Sequence, residues 1–473
     1  MPQDDEQGWI TESNNNPEQQ DNVTSLADRI GGLSTEKAEQ ADQGEKAEQG
    51  DQPQQPQQPK QELEVSVTLA DQQADPNSPL YSASTFEELG LHENLLKGIY
   101  AMKFQKPSKI QERALPLLLQ NPPRNMIAQS QSGTGKTAAF ALAILSRINY
   151  DSSNPQAVVL SPSRELARQT MSVIQQMGQF TNVKTAFAIK DAIPKGSKVD
   201  AQVIVATPGA LVDAVRKGQM NAKEVKVFVL DEADNMLDQH SMGDQSIKAK
   251  NLITSKPQIL LFSATFPDIV RNFAAKFAPA ANEIRLKQEE LSVEGIKQFY
   301  MDCDNLEHKF KVLVELYELM TVGQSIIFVH RRDTADEIAH RMTAEGHTVV
   351  SLHGKQESSE RDLTIDSFRD GKTKVLITTN VIARGIDISQ VNMVINYDMP
   401  KTASGKPDSE TYLHRIGRTG RFGRKGLAVN FIHDKESWKV MNSIEETLKK
   451  EIIKVDTSDF DAMEAIMKKE LKD

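Results

Sequence analysis

The chain contains the stretch Val227-Phe228-Val229-Leu230-Asp231-Glu232-Ala233-Asp234, in which an apolar run ends directly in carboxylates. A short apolar run bounded by polar residues is typical of a buried strand. Ligands of open α/β sheets bind at the carboxyl ends of the strands, and Asp231 lies at such an end. The stretch therefore predicts a buried strand with a polar site at its edge.

Runs of the same kind recur in two sets along the chain, and helix-period sequence such as 165–180 follows them. The first set comprises Ala157–Leu160, Val203–Ala206, Val227–Leu230 and 259–262. The second set comprises 325–329, Val349–Leu352, Val375–Thr378, 394–396 and 427–431. Strands that alternate with helices predict βαβ units and a parallel sheet. We therefore expect two tandem α/β domains, at 78–286 and 295–473, joined by the charged linker 287–294.

A Gly-rich segment upstream of the carboxylates reads Ser132-Gly133-Thr134-Gly135-Lys136-Thr137. Such a loop supplies backbone N–H groups, an ammonium and a hydroxyl to the phosphates of a nucleotide and to its Mg²⁺. Lys136 is expected on the β- and γ-phosphates, and Thr137 with Asp231 is expected to hold Mg²⁺, partly through water. Glu232 is the candidate general base or water-positioning group.

A third motif, far downstream, reads His414-Arg415-Ile416-Gly417-Arg418-Thr419-Gly420-Arg421. Its arginines can supply positive charge to a phosphoryl-transfer transition state, and Arg418 and Arg421 are the candidates for that role. The three motifs in this order predict an enzyme that hydrolyses a nucleoside triphosphate.

Composition limits the partners and the compartment. The 473 residues carry a formal net charge of −10, but residues 1–80 hold 17 Asp or Glu against 4 Lys or Arg, so the remainder has a balance of +3. A slightly basic folded part is compatible with a nucleic-acid partner.

Cys303 is the only cysteine, which excludes an intrachain disulfide and fits a reducing compartment. No apolar run approaches the roughly 18–20 residues of a membrane span, so we expect no membrane partner.

The first 77 residues differ in composition from the rest, with Gln, Asn and Pro runs, almost no aromatic residues and a Lys-Ala-Glu-Gln repeat at 37 and 46. Such a segment buries too little apolar surface to offset the entropy of ordering. Residues 1–77 are therefore predicted to be a disordered acidic tail, although a short amphipathic helix at 23–33 stays open.

Taken together, the motifs resemble those of the DEAD-box RNA helicases, over a span from about Phe86 to beyond Phe431. The resemblance implies two RecA-like domains, ATP as the nucleotide and RNA as the polymer. The segment 103–111 resembles the family's adenine-reading motif, with Gln111 on the adenine edge and Phe104 packed on the ring. An amide suits adenine because it offers a donor and an acceptor together.

The resemblance also implies how the two domains communicate and where RNA binds. The hydroxyls of Ser263 and Thr265 would connect the loop of Asp234 to the second domain, where His414 lies. Two residues of the second domain would approach the nucleotide, namely Gly385 and Asp387. The implied RNA contacts are Pro162, Arg164, Thr207, Gly209, Arg332, Gly354 and Thr378. These groups suit phosphates and 2′-hydroxyls, so we expect sequence-independent binding of single-stranded RNA.

The chain departs from the family pattern at several places. Ser130 stands where the general phosphate-loop pattern has its first glycine, and Ala210 stands where an arginine usually closes the Thr-Pro-Gly motif. Asp333 lies where a basic residue is common, and the expected glycine pair is absent from 186–196. The departure at Ser130 makes the match to the phosphate-loop pattern imperfect, whereas the other three concern the grip on RNA, not the class of enzyme.

The flanking segments resemble the branch of the family that acts in messenger RNA export. They are 74–81, 121–124, Asn380 and the insert 401–409. The resemblance implies a monomer in nucleus and cytoplasm, at the cytoplasmic face of the nuclear pore complex. It also implies docking to a nucleoporin, messenger ribonucleoprotein as the target and an activator protein that acts with inositol hexakisphosphate. A translation-initiation or splicing-clamp helicase, an ATP-gated RNA clamp with little turnover and a DNA translocase are the alternatives.

Overall fold

The structure of the chain is a computed structural model that describes residues 65–71, 78, 82–129, 134–238, 241–286, 295–319, 323–380, 390–402, 404–420 and 425–472. The strands of the first domain are β1 (Val65–Thr68), β2 (Met126–Gln129), β3 (Ala157–Leu160), β4 (Thr185–Ala188), β5 (Val203–Ala206), β6 (Val227–Leu230), β7 (Gln258–Ser263) and β8 (Asn282–Leu286). Its helices are α1 (Glu93–Ala101), α2 (Lys109–Leu119), α3 (Lys136–Arg147), α4 (Arg164–Met177), α5 (Pro208–Arg216), α6 (Ala233–Asp238), α7 (Met242–Leu252) and α8 (Asp268–Phe277).

The second domain repeats the alternation of strands and helices. Its strands are β9 (Ile296–Asp302), β10 (Gln324–Phe328), β11 (Val349–Leu352), β12 (Val375–Thr378), β13 (Val391–Asn396), β14 (Gly426–Ile432) and β15 (Ile453–Val455). Its helices are α9 (Leu306–Leu319), α10 (Arg332–Ala344), α11 (Ser358–Arg369), α12 (Ser409–Ile416), α13 (Lys435–Leu448) and α14 (Phe460–Lys472). The two α/β domains predicted from the sequence are confirmed.

Each domain is built on one sheet. The first sheet has the order β1-β8-β2-β7-β6-β3-β5-β4 and the second β11-β12-β10-β13-β14-β9-β15. Their ladders are parallel except for that between β1 and β8. The loops that leave the carboxyl ends of parallel strands lie along one edge of a sheet, and the predicted motifs follow β2, β3, β5, β6 and β7 there.

Helices cover both faces of the first sheet, which is why its central strands read as unbroken apolar runs. Val158 and Ile204 pack into one of its two cores, while Val159 and Val205 pack into the other. Each such side chain contributes about 1.5–3 kcal/mol when fully buried.

One strand lies inside the predicted tail. β1 pairs antiparallel with β8, and its Val65 and Val67 pack against the first core while Ser66 faces outward. The predicted boundary at residue 77 is therefore wrong, because an alternating strand of four residues is hidden by the polar composition around it. Residues 1–64, with the possible helix at 23–33, and the linker 287–294 lie outside the described residues. Among the described helices, none combines the length and the apolar character that crossing a bilayer requires.

Candidate active site and nucleic-acid interface

The carboxyl edge of the first sheet brings a lysine and several carboxylates together. Lys136 is the first residue of α3, directly after Gly135, whose φ of +96° favours glycine. Asp231 follows β6, and its backbone N–H donates to the Leu160 oxygen at the end of β3 (3.0 Å). Lys136 and Asp231 are both buried. The edge of the sheet therefore holds an ammonium opposite a carboxylate, as the motifs predicted.

Burial governs the ionisation of this pair. Burial and, after it, the negative charge of Glu232 raise the pKa of the Asp231 carboxyl to about 7, against the opposing charge of Lys136. Burial also lowers the pKa of Lys136, while nearby carboxylates, led by Asp231, oppose that shift. Because burial makes the ionised form of Asp231 unfavourable, a nearby cation would stabilise it. Carboxylate and hydroxyl oxygens are ligands that Mg²⁺ prefers. Asp231 and Thr137 thus fit the predicted metal role in their chemistry.

Glu232 has a conformation that is uncommon for a residue other than glycine. Its φ is +51°, and its N–H donates to Asp231 Oδ1 (3.1 Å). Asn235, which lies three residues further on in α6, donates from Nδ2 to Glu232 Oε2 (3.2 Å) and fixes the Glu232 side chain. Strained backbone of this kind concentrates at functional sites, where the surroundings hold it in place. The Glu232 carboxylate is therefore oriented by Asn235 beside Asp231.

The side chain of Gln111 braces the phosphate loop. Its Nε2 donates to Gly135 O (2.9 Å), and its Oε1 accepts from Ser108 N (2.9 Å). Ser108 Oγ donates to Thr134 O (2.8 Å), so two side chains hold consecutive loop carbonyls. A Cβ on Gly135 would lie 2.4 Å from Gln111 Nε2, which requires glycine there. Phe104 is half-buried against the first core. Gln111 keeps one N–H and one lone pair for a nucleotide base.

The predicted coupling residues meet across the interface between the domains. Asp234 Oδ2 accepts from Thr265 N (2.9 Å) and from Thr265 Oγ1 (3.0 Å), and Asp234 N donates to Ser263 Oγ (3.1 Å). The Thr265 hydroxyl also lies within hydrogen-bond distance of a Glu410 carboxylate oxygen in the second domain, so its single proton is shared between Asp234 and Glu410. His414 Nε2 lies 3.7 Å from Asp234 Oδ2 and 3.9 Å from Glu410 Oε1. Glu410, which the sequence analysis missed, belongs to this network.

Arg418 extends the second domain toward the nucleotide side. It is buried, and its Nε donates to His414 O (3.0 Å) one turn earlier. Its charge is near enough to Lys136 to lower the pKa of that ammonium, after burial and the carboxylates. The charge of a guanidinium from one domain therefore acts on the phosphate-loop lysine of the other.

Several residues predicted to contact RNA lie at the starts of helices in the first domain. Thr207 precedes α5, which begins with proline, a residue suited to the first helical position. Pro162 is buried just before α4. Gly209 lies against α7, since a Cβ there would come within 2.9 Å of Gln245 Oε1. Because that oxygen is at the end of a flexible side chain, packing favours glycine at this position without requiring it.

The predicted contacts of the second domain differ in accessibility. Arg332 begins α10 and is half-exposed, but its Nε lies 3.6 Å from Asp333 Oδ1. Gly354 is exposed, and the space beside it is open. Thr378 is buried, and its hydroxyl donates to Leu352 O (2.8 Å). In this arrangement the Thr378 hydroxyl ties β12 to β11, and its contact with RNA stays a prediction.

Arg164 has a protein partner that the sequence did not reveal. Its Nη2 and Nε donate to Asp362 Oδ2 on α11 of the second domain (2.9 and 3.2 Å), and its Nη1 donates to Lys190 O (3.0 Å). Arg361 and the buried Glu165 form a further short ion pair across the same interface. Arg164, which is expected to contact RNA, thus also joins the two domains.

Comparison with known proteins identifies the family. A family model described as DEAD/DEAH box helicase matches residues 108–273, and one described as helicase conserved C-terminal domain matches residues 308–423. The chain is 66% identical over 409 residues to the ATP-dependent RNA helicase DBP5 of Mycosarcoma maydis, an alignment that covers 86% of this chain and 90% of the relative. The chain belongs to the DEAD/DEAH box helicase family.

Solved structures of this helicase family share the fold. Saccharomyces cerevisiae Dbp5 bound to RNA and ADP BeF3 matches with a TM-score of 0.79 and 56% identity, over 82% of this chain and 100% of that chain. A variant of S. cerevisiae Dbp5 bound to Nup159, a Gle1 variant, IP6 and ADP matches with a TM-score of 0.62 and 55% identity, over 81% of this chain and 100% of that chain. The predicted RecA-like domains and the predicted class, an ATP-dependent RNA helicase, are confirmed.

A buried arginine of the helicase motif in the second domain was also missed. Arg415 donates through Nε to Asn380 Oδ1 (3.0 Å) and through Nη1 to Asn396 Oδ1 (2.9 Å) and Asp398 O (2.7 Å). Its guanidinium carbon lies 5.0 Å from the centre of the Phe328 ring. Asn380, noted only as a mark of one branch, therefore helps to hold the helix that carries His414. Five predicted site residues lie outside the described residues: Ser132, Gly133, Gly385, Asp387 and Arg421.

Proposed function

We propose that this helicase hydrolyses ATP when its two domains close around ATP and single-stranded RNA, and that it remodels messenger ribonucleoprotein during export through the nuclear pore. The observation that carries the proposal is the network of Asp234, Thr265 and Glu410 across the two domains, and the charge of Arg418 that acts on Lys136 supports it. It joins the nucleotide residues of one domain to the arginine motif of the other, so nucleotide and RNA binding share the cost of closure.

Each residue of the nucleotide site has a distinct task in this proposal. Lys136 binds the β- and γ-phosphates, and Gln111 holds the loop and reads the adenine edge. Asp231 and Thr137 would hold Mg²⁺, which would neutralise phosphate charge. Glu232, held by Asn235, positions the attacking water.

Arginines complete the site from the second domain. Arg418, and Arg421 in the same motif, stabilise the charge that develops on the transferred phosphoryl group; such arginines contribute on the order of 10³–10⁵ in rate in other enzymes. Because Arg418 comes from the second domain, hydrolysis depends on closure. Closure in turn depends on RNA, because RNA bridges the two domains through Arg332, Gly354 and the first turns of α4 and α5.

The proposed partners follow from the relatives. S. cerevisiae Dbp5 has been solved with RNA, and its variant with Nup159, a Gle1 variant and IP6, which supports a nucleoporin and an inositol-hexakisphosphate-dependent activator as partners of this chain. We place the protein in nucleus and cytoplasm, with its site of action at the cytoplasmic face of the pore.

A protein-displacement assay tests the proposal. The full chain is incubated with a single-stranded RNA that carries a bound RNA-binding protein, with ATP, and with or without the activator and inositol hexakisphosphate. We expect ATP-dependent release that the activator accelerates and that Lys136→Ala abolishes. Release that is the same with ATP and with a non-hydrolysable analogue would contradict the proposal and favour an ATP-gated clamp.

A further inference from the structure

Two helices from different domains face each other with opposite charges. On α4, Arg164 and Arg168 are one turn apart; on α11, Asp362 and Asp366 are one turn apart. Residues four apart lie on the same face of a helix. A basic stripe of the first domain therefore meets an acidic stripe of the second.

The four side chains alternate in an unbroken ladder. Arg164 Nη2 lies 2.9 Å from Asp362 Oδ2, and Arg168 Nη1 lies 3.1 Å from Asp362 Oδ1. Arg168 Nη2 lies 2.9 Å from Asp366 Oδ2. Asp362 thus bridges two arginines, and Arg168 bridges two aspartates. Bridging of this kind requires the planar fork of arginine, which a lysine ammonium does not reproduce.

The ladder is partly sheltered from water. The side chains of Asp362, Arg164 and Arg168 are 20%, 23% and 29% exposed, and that of Asp366 is 39% exposed. Such pairs are screened less by salt than fully exposed pairs. When the domains separate, the two arginines of α4 stay one turn apart and repel each other, whereas Asp366 keeps an ion pair with Arg369 of its own helix (3.1 Å). Closure relieves the repulsion between the arginines and forms the three contacts.

We propose that this ladder is an interdomain latch, with Arg168 and Asp366 as positioning residues that hold the domains in the ATPase-competent arrangement. Arg168 and Asp366 act through domain closure, without a part in the nucleotide chemistry. Asp362 has a second effect, because it orients Arg164 at the start of α4, where RNA is expected. The inference rests on the proposed RNA-stimulated ATPase and adds how its closed state is held.

The test combines a charge reversal with its compensating partner. Asp366→Arg places a cation opposite Arg168, and the double variant Arg168→Asp with Asp366→Arg restores opposite charges. Asp370→Arg is the matched control, because Asp370 lies one turn further along and pairs with Lys372 of its own domain (3.0 Å). ATPase activity is measured against RNA concentration. The closed fraction is measured by fluorescence transfer between dyes on cysteines introduced at Lys217 and Lys454, with a non-hydrolysable ATP analogue and RNA.

For Asp366→Arg we expect about a tenfold rise in the RNA concentration that gives half-maximal activity, together with a smaller closed fraction. The double variant should recover to within about threefold of the native chain, and Asp370→Arg should match the native chain. Equal RNA dependence and closed fraction for Asp366→Arg and the native chain would overturn the latch, as would a double variant no better than Asp366→Arg. If RNA did not stimulate the ATPase activity of the native chain, that result would instead contradict the proposed function.

Discussion

Gln111 donates a hydrogen bond of 2.9 Å to the backbone oxygen of Gly135, the residue directly before the phosphate-binding lysine. The side chain assigned to the adenine base thus also shapes the loop that receives the phosphates. Ser108 N donates to the oxygen of the same amide, so we expect base and phosphate recognition to be coupled through this side chain.

Replacing Gln111 by Glu should weaken nucleotide binding by tenfold or more. The substitution keeps the acceptor for Ser108 N but places a carboxylate oxygen against the Gly135 carbonyl, where a donor is needed. The affinity for a fluorescent ADP analogue measures the effect, with the exposed Gln105→Ala as control. Native affinity in Gln111→Glu would show that the loop does not depend on this bond.

Glu410 should be necessary for cooperation between ATP and RNA. In Glu410→Ala the Thr265 hydroxyl loses its acceptor in the second domain, whereas its bond to Asp234 remains. We therefore expect nucleotide binding close to native and a loss of about tenfold in the enhancement of RNA affinity by a non-hydrolysable ATP analogue. Glu410→Gln, which keeps an acceptor oxygen, should retain more of that enhancement. Full enhancement in Glu410→Ala would contradict the coupling role.

The single thiol should be inert in the folded protein. Cys303 is buried, and burial raises its pKa to about 12 from an ordinary value of 9.0. At pH 8 the native chain should react with a thiol reagent at a small fraction of the rate seen in denaturant, since the thiolate is the reacting species. The unfolded thiol ionises first, so this group favours unfolding as the pH rises from about 9 toward 12. Rapid labelling of Cys303 in the native chain at pH 8 would contradict its burial.

Two truncations distinguish the contribution of residues 1–64 from that of β1, which lies within the predicted tail 1–77. Deletion of residues 1–64 should leave the melting temperature and the RNA-stimulated ATPase close to native. Deletion of residues 1–71 removes β1, which uncovers the edge of β8 and the apolar contacts of Val65 and Val67. We expect that loss to lower the melting temperature by about 2–5 °C. Identical melting of both truncations would show that β1 contributes no stability.

The sequence predicted best what depends on local pattern. β3, β5, β6 and β12 have the predicted bounds because continuous burial leaves a mainly apolar run. β11 also has the predicted bounds, although it is only partly buried. β1 and β4 are only partly buried, and their mixed composition gave no such signal. The phosphate-loop lysine and the carboxylates were found because their spacing along the chain is fixed by the chemistry.

Partners that are distant in sequence could not be predicted in the same way. Asp362 lies 198 residues from Arg164, and Glu410 lies 145 residues from Thr265. Nothing local marks either carboxylate, because both are ordinary helix-surface residues until the other domain is placed. The hydrogen bond from the Thr378 hydroxyl to Leu352 O could likewise not be predicted from the motif, because its acceptor lies on a neighbouring strand.

The central claim is that RNA and ATP close one two-domain enzyme, and steady-state ATP hydrolysis by the purified full chain tests it most directly. Hydrolysis is measured alone, with structureless single-stranded RNA, and with DNA of the same sequence, beside Glu232→Gln as the catalytically impaired control. We predict strong stimulation by RNA, little by DNA, and a rate for Glu232→Gln that is lower by about 10²–10⁴ with RNA and ATP binding intact. Hydrolysis that RNA does not change, even with the activator and inositol hexakisphosphate present, would contradict the account.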